Sequence, residues 1–139
     1  MTALRDSVLA VLTADATLSG LLTGGMYAGL EKGINRQDTP SAFDSNKEIR
    51  PCLLVNDETD VQSGPYGASS RTYLRIFFYQ RSGFSAIDSA LARVMTLLNR
   101  QKIGSLVWEI RWTDDILNRQ DVALDCSMHM SRYQAVRNR

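Results

Sequence analysis

The chain has 139 residues, 44% of them hydrophobic and 22% charged, with a formal net charge of +1. That length suits one ordinary domain, spanning residues 1–139, and the composition excludes disorder along the whole chain. The charge balance offers no bulk attraction to nucleic acid or to a membrane surface, and no stretch approaches the roughly 20 consecutive apolar residues of a membrane-spanning helix.

Leu4, Val8, Val11 and Leu12 recur on one helical face. Asp15-Ala16-Thr17 interrupts, Leu18, Leu21 and Leu22 form a second apolar turn, and Gly24-Gly25 leads away. Arg5 and Asp6 stand inside the first helix without a long apolar run, which is not the pattern of a signal peptide. Residues 28–50 are weakly patterned, with a polar loop from Gln37 to Asn46 that carries Phe43 alone. Long loops in small domains are usually functional or mobile, so Phe43 is either a plug for the core or an exposed anchor for a partner.

Pro51 to Glu58 predicts a strand, in which Leu53 and Val55 alternate with Cys52 and Leu54 and Pro51 takes the tolerated first position. Residues 59–70 read as a polar connection. Arg71 to Arg81 is the strongest strand, with Leu74, Ile76 and Phe78 on one face and Tyr73, Phe77 and Tyr79 on the other. Apolar residues on both faces mark a central strand or one covered by a neighbouring subunit. From Ser82 to Asn99 the period becomes helical: Ile87, Leu91, Val94 and Leu98 share a face, and Ser85 with Asp88 has the form of a capping box.

Leu106 to Thr113 returns to strand, and Asp114 to Gln120 reads as a loop. The last strand sets Val122, Leu124, Cys126, Met128 and Met130 on a dry face and Asp121, Ala123, Asp125, Ser127, His129 and Ser131 on a wet one. The order helix, strand, strand, helix, strand, strand predicts an α+β fold. The expected architecture is a mainly antiparallel four-stranded sheet with the N-terminal helices and one central helix packed on one face.

Catalytic patterns are weak. His129 stands in a row with Asp125 and Ser127, but neighbours on one strand face lie roughly 7 Å apart, too far for the hydrogen bonds of a triad. Solvation of that face is the expectation. Glu109, Asp114, Asp115, Asp121 and Asp125 could in principle hold a magnesium ion, yet acidic residues at strand ends also serve turns and solubility. Cys52 and Cys126 with one histidine make no zinc motif, and they read as buried reduced thiols that suit a reducing interior such as cytoplasm. No phosphate loop follows Gly24-Gly25. The residues predict no catalytic site, no metal and no cofactor.

Taken in order, the elements resemble the tail terminator (tail completion) proteins of long-tailed bacteriophages. The matching residues are the opening run Leu4 to Leu22 with Met26-Tyr27, the strand opened by Arg50-Pro51-Cys52-Leu53-Leu54-Val55, the strand Thr72 to Tyr79 running into the helix Ala86 to Leu98, and the final strand pair. The stretch between Tyr27 and Pro51 is longer than the family's usual linker. The resemblance implies a non-enzymatic virion protein that forms a ring, typically a hexamer, on the head-proximal end of the tail tube. There it would stop tube polymerisation and dock the head–tail connector proteins, with genomic DNA passing only through its channel and with no membrane partner. Its place would be the virion, after assembly in the host cytoplasm.

Such a ring needs self-association surfaces, for which Phe43, Tyr66, Arg71, Tyr73, Phe77 and Tyr79 are the candidate partner-interface residues. Three alternatives remain open at this point: a head-completion or neck connector ring, a small metal-dependent hydrolase using the acidic cluster, and a nucleic-acid-binding module using the arginine-rich end (Arg132, Arg137 and Arg139).

Overall fold

The computed structural model describes residues 4–63, 69–104 and 108–138, and for residues 59–63, 69, 137 and 138 it describes the backbone alone. The apolar stripe of the opening residues becomes α1 (Leu4–Thr13), with Leu4, Val8 and Leu12 buried. Asp15 ends the interruption by capping α2 (Ala16–Leu21), its carboxylate accepting the Leu18 N–H at 3.0 Å. Gly24 then passes so close to the chain at Pro51 that a side chain there would meet the Pro51 carbonyl oxygen at 2.9 Å. That approach, with Gly25 in the left-handed region at φ 96°, sets β1 (Met26–Ala28) beside β2 (Cys52–Ser63).

β3 (Ser69–Gln80) pairs with β2. After α3 (Ser85–Leu98) come β4 (Gln101–Ile103), β5 (Trp108–Asp121) and β6 (Cys126–Asn138). The strand order is β1-β2-β3-β6-β5-β4.

The expected four-stranded, mainly antiparallel sheet is therefore corrected to a curled, six-stranded mixed sheet. β1 runs parallel to β2, whereas the other pairings are antiparallel. The additional strands β1 and β4 have three residues each, too short for an alternation signal. The four long strands also run past one expected end, but β6 starts only at Cys126: Val122 to Asp125, expected in its alternation, form a turn with Val122 exposed. In β5, Asp114 to Gln120 is strand and not loop: two register shifts, at Trp112/Asp114 and Ile116/Arg119, break its alternation.

One face of the sheet packs against all three helices. Leu53, Val55, Leu74, Ile76, Phe78, Ile110, Tyr133 and Ala135 meet Leu4, Val8, Leu12, Leu18, Ile87, Val94 and Leu98 there. The segment between β1 and β2 folds across the opposite face, where Ile34, Ala42, Phe43 and Ile49 cover Cys52, Leu54, Tyr79 and Cys126. A 3₁₀ turn at Pro40–Ala42 and a bridge between Phe43 and Ile49 give this segment its shape. β3 is thus a central strand, with Leu74, Ile76 and Phe78 in one core and Tyr79 in the other.

The capping box expected at Ser85 and Asp88 does not form. The Gln80 side-chain oxygen accepts the Ala86 and Ile87 N–H groups instead, at 2.9 and 3.2 Å, and so caps α3 from the end of β3. Arg93 of α3 reaches back to Asp15 with two bonds, of 3.0 and 2.7 Å, and ties α2 to α3. Arg93, followed by the Leu18 N–H, holds the Asp15 carboxyl below its ordinary value of 3.8. A carboxylate depressed in the folded state contributes stability that is complete above the unfolded value and lost as the pH falls through the folded one. Asp15→Asn keeps a capping side chain but not this charge. Its urea midpoint should fall less than that of the wild type between about pH 6 and about pH 2.5, and equal falls would show that the pair contributes nothing.

Candidate interaction face

The register of the sheet assigns each strand residue to a face. On the face away from the helices, Phe77 stands beside Met130, Arg75 beside Arg132, Tyr73 beside Gln134 and Arg71 beside Val136. The upper end of this face lies under the Ile34–Ile49 segment; the lower end, around Tyr73, does not. Two ion pairs flank Tyr73. Arg75 Nε lies 2.5 Å from Glu58 Oε1. Arg132 grips Asp114 with both arms of its guanidinium, the Nε bond measuring 2.6 Å, and holds that carboxyl below the ordinary range. A shallow depression of 270 Å³ crosses four strands here, lined by Glu58, Tyr73, Arg75, Thr113 and Arg132 among others. Tyr73 is 37% exposed, and the buried Arg71 Nε has no hydrogen-bond partner among the described residues. Tyr and Arg are the side chains most enriched at the anchoring centres of protein interfaces, because each joins a broad apolar or planar body to a polar tip.

The remaining candidates divide between core and surface. Phe43 is 8% exposed, seated in the second core with Arg36 stacked over its ring at 5.0 Å. Tyr79 is buried in the same core, and Phe77 lies stacked beside it with ring centroids 6.4 Å apart. Tyr66 lies outside the described residues. The structure therefore brings Arg71 and Tyr73 together on one surface, with Phe77 at its margin, and places Phe43 and Tyr79 beneath the covering segment.

His129 overturns the expectation of a wet strand face. It is 1% exposed, and Ser127, Ser131, Tyr133 and Ala135 are buried with it on the helix side. The Met128 and Met130 positions face the other way. Burial of His129 and Ser131 is possible because their polar groups have partners, whereas the buried Tyr133 hydroxyl has none among the described residues. The Asn118 N–H donates to Nδ1 at 3.1 Å, so the neutral ring carries its proton on Nε2 and donates to Asp88 Oδ1 at 2.6 Å. Phe84 stacks on the ring at 4.9 Å. The Ser131 hydroxyl donates to Asp115 at 2.7 Å, and the Trp112 indole N–H reaches the same oxygen at 3.0 Å. Asp125, the partner suggested by the strand row, sits in the β5–β6 turn with a left-handed backbone. With both ring nitrogens engaged, His129 is a structural bridge from β6 to α3 and β5, and has no free nitrogen with which to act as a base.

Two further acidic candidates are also occupied. Glu109 accepts from Arg111, and Asp121 accepts the Leu124 N–H. Among the described residues no three His, Cys, Asp or Glu side chains cluster as a metal site. Cys52 and Cys126 are buried free thiols, and burial pushes each up to about 12, which keeps them protonated and unreactive. Among the described residues no helix is long and apolar enough to cross a membrane.

No protein-family profile matches the chain, and no curated protein does. Among solved structures, the fold is similar to that of a chain in the virion of a native gene transfer agent particle. The TM-score is 0.68 at 17% identity, over 99% of this chain and 96% of the other. At that identity the likeness is one of fold.

His129→Leu leaves the Asn118 N–H without its acceptor and should lower the unfolding free energy by about 1–3 kcal/mol. Asp88→Asn, at an exposed partner, should cost less than about 1 kcal/mol. Urea unfolding of both variants measures the difference, and an unchanged His129→Leu midpoint would remove the bridging role.

Proposed function

We propose that this chain is a structural protein of a phage-like virion, and that it forms a ring, hexameric in the family it resembles, capping the head-proximal end of the tail tube. The observation that carries this reading is the end-to-end likeness of its fold to a chain of a gene transfer agent virion, which spans nearly the whole of both chains. The order of elements that resembles tail terminators in sequence supports it independently. So does the lower half of the outer sheet face, where Tyr73, Arg71 and the flanking ion pairs form a surface suited to a protein partner. In this reading Arg71, Tyr73 and Phe77 face a neighbouring protein, and the buried Phe43 and Tyr79 hold the covering segment that borders them. One ring face copies the contacts of a tube subunit and the other offers no continuing site, so that growth stops and the connector docks. Closure through head-to-tail contacts makes such an assembly finite.

The tail-tube protein of the same particle, polymerised with and without this chain and viewed by electron microscopy, tests the reading. The chain should appear as a closed ring on one end of each tube and stop its elongation. Tubes that lengthen unchanged with bare ends would overturn it.

A further inference from the structure

Near the β5–β6 turn, β5 leaves its ladder. Ile116 pairs with Met130 and Arg119 with Met128, so Leu117 and Asn118 together stand opposite His129 alone. Two residues facing one make a bulge, and Asn118 takes a left-handed backbone within it, at φ 58°. Its N–H turns to a side chain and donates to His129 Nδ1 at 3.1 Å. Among the described residues this is the one side-chain hydrogen bond between the bulge and β6. Leu117 and Asn118 are both exposed, so the bulge buries little apolar surface of its own.

The two nitrogens of His129 respond to a proton in opposite ways. Nε2 already donates to Asp88 Oδ1 at 2.6 Å, and a positive ring strengthens that bond. The Asp88 side chain is 66% exposed, so water reaches the pair. Phe84, stacked on the ring at 4.9 Å, presents a π face that tolerates the charge. Nδ1 is the reverse. It accepts from Asn118, and once protonated it points a second N–H at the first. The ring then keeps its seat against α3 and loses its partner on β5.

The other groups around the ring leave this contrast intact. Asp115 of β5 stands one position along the same face, bound to Ser131, and Tyr133 stands one position beyond. β3 contributes Phe78, the register partner of His129. On α3, Arg93 is engaged by Asp15, which leaves Asp88 as the charged group of that helix bound to the ring.

We infer that His129 is a pH-operated latch on the β5 bulge: the neutral ring holds the Asn118 amide, and the protonated ring releases it while staying bound to Asp88. Release frees Leu117 and Asn118 to change the contour of β5. The core persists, because the apolar layers that α3, β3 and β6 share do not include the bulge. The exposed side of the β5–β6 hairpin thus has one shape in neutral solution and a looser one in acid. This device stands independently of the ring reading above.

Amide and imidazole NMR signals followed from about pH 8 to about pH 5, the window in which an ordinary imidazole changes charge, test the latch. As the His129 ring signals titrate, the Asn118 amide should lose protection about tenfold or more, after correction for the pH dependence of free-amide exchange, and with the same midpoint. The Phe78 and Tyr133 amides should keep theirs. His129→Asn places a carbonyl oxygen that does not titrate near the Nδ1 position, and in that variant Asn118 protection should not change with pH. A ring that titrates while Asn118 stays protected, a ring that stays neutral throughout, or a loss shared equally by Phe78 and Tyr133 would each overturn the latch. So would the same loss in His129→Asn; should that variant fail to fold, the wild-type titration decides alone.

Discussion

Burial of β3 on both of its faces is the constraint around which this molecule is built. A strand with Leu74, Ile76 and Phe78 on one side and Phe77 and Tyr79 on the other needs a cover for each. The helices supply the first and the Ile34–Ile49 segment the second. The second cover is short, however, and spans only the upper half of the sheet. What it leaves bare, around Tyr73, Arg75 and Arg132, is the surface most available to a partner. The long β1–β2 connection is therefore part of the core, and its length is explained by the width of sheet it crosses.

The cross-links between layers are polar, and they concentrate on α3. Gln80 caps its first turn, Asp88 on the next residues binds His129, and Arg93 one turn later binds Asp15. Three different elements (β3, β6 and α2) are thus tied to one helix along a few turns. Arg5 adds a comparable link from α1 to β2 through Asp57 at 3.0 Å. These contacts add direction to a hydrophobic interface that by itself resists separation but not sliding. Glu109, Asp114, Asp115 and Asp121, which might have suggested chemistry, are accounted for by contacts within the sheet and its turns.

The fold is similar to that of a chain in a gene transfer agent virion. A fold of this kind is a scaffold, and its role follows from the surfaces it carries. Here the exposed surface is the half-face around Tyr73 that the Ile34–Ile49 segment leaves uncovered.

Much of the fold was legible in the residues. The helices α1, α2 and α3, the central place of β3 and the exit at Gly24-Gly25 all follow from periodicity and turn chemistry acting within a few residues. The alternation of β6 was equally plain, but it could not say which face is buried. A period of two is symmetric between faces, and Ser127, His129 and Ser131 enter the core only because partners on distant elements satisfy His129 and Ser131 there. For the same reason Ser85 and Asp88 suggested a capping box, although tertiary contact gave the cap to Gln80 and the carboxylate to His129. The strand character of Asp114 to Gln120 was hidden by its irregular register, and β1 and β4 by their brevity. The candidate interface was legible as a set of apolar and basic residues. Only the tertiary structure decided that Phe43 and Tyr79 lie inside and Tyr73 outside, because exposure depends on which distant segment crosses which half of the sheet.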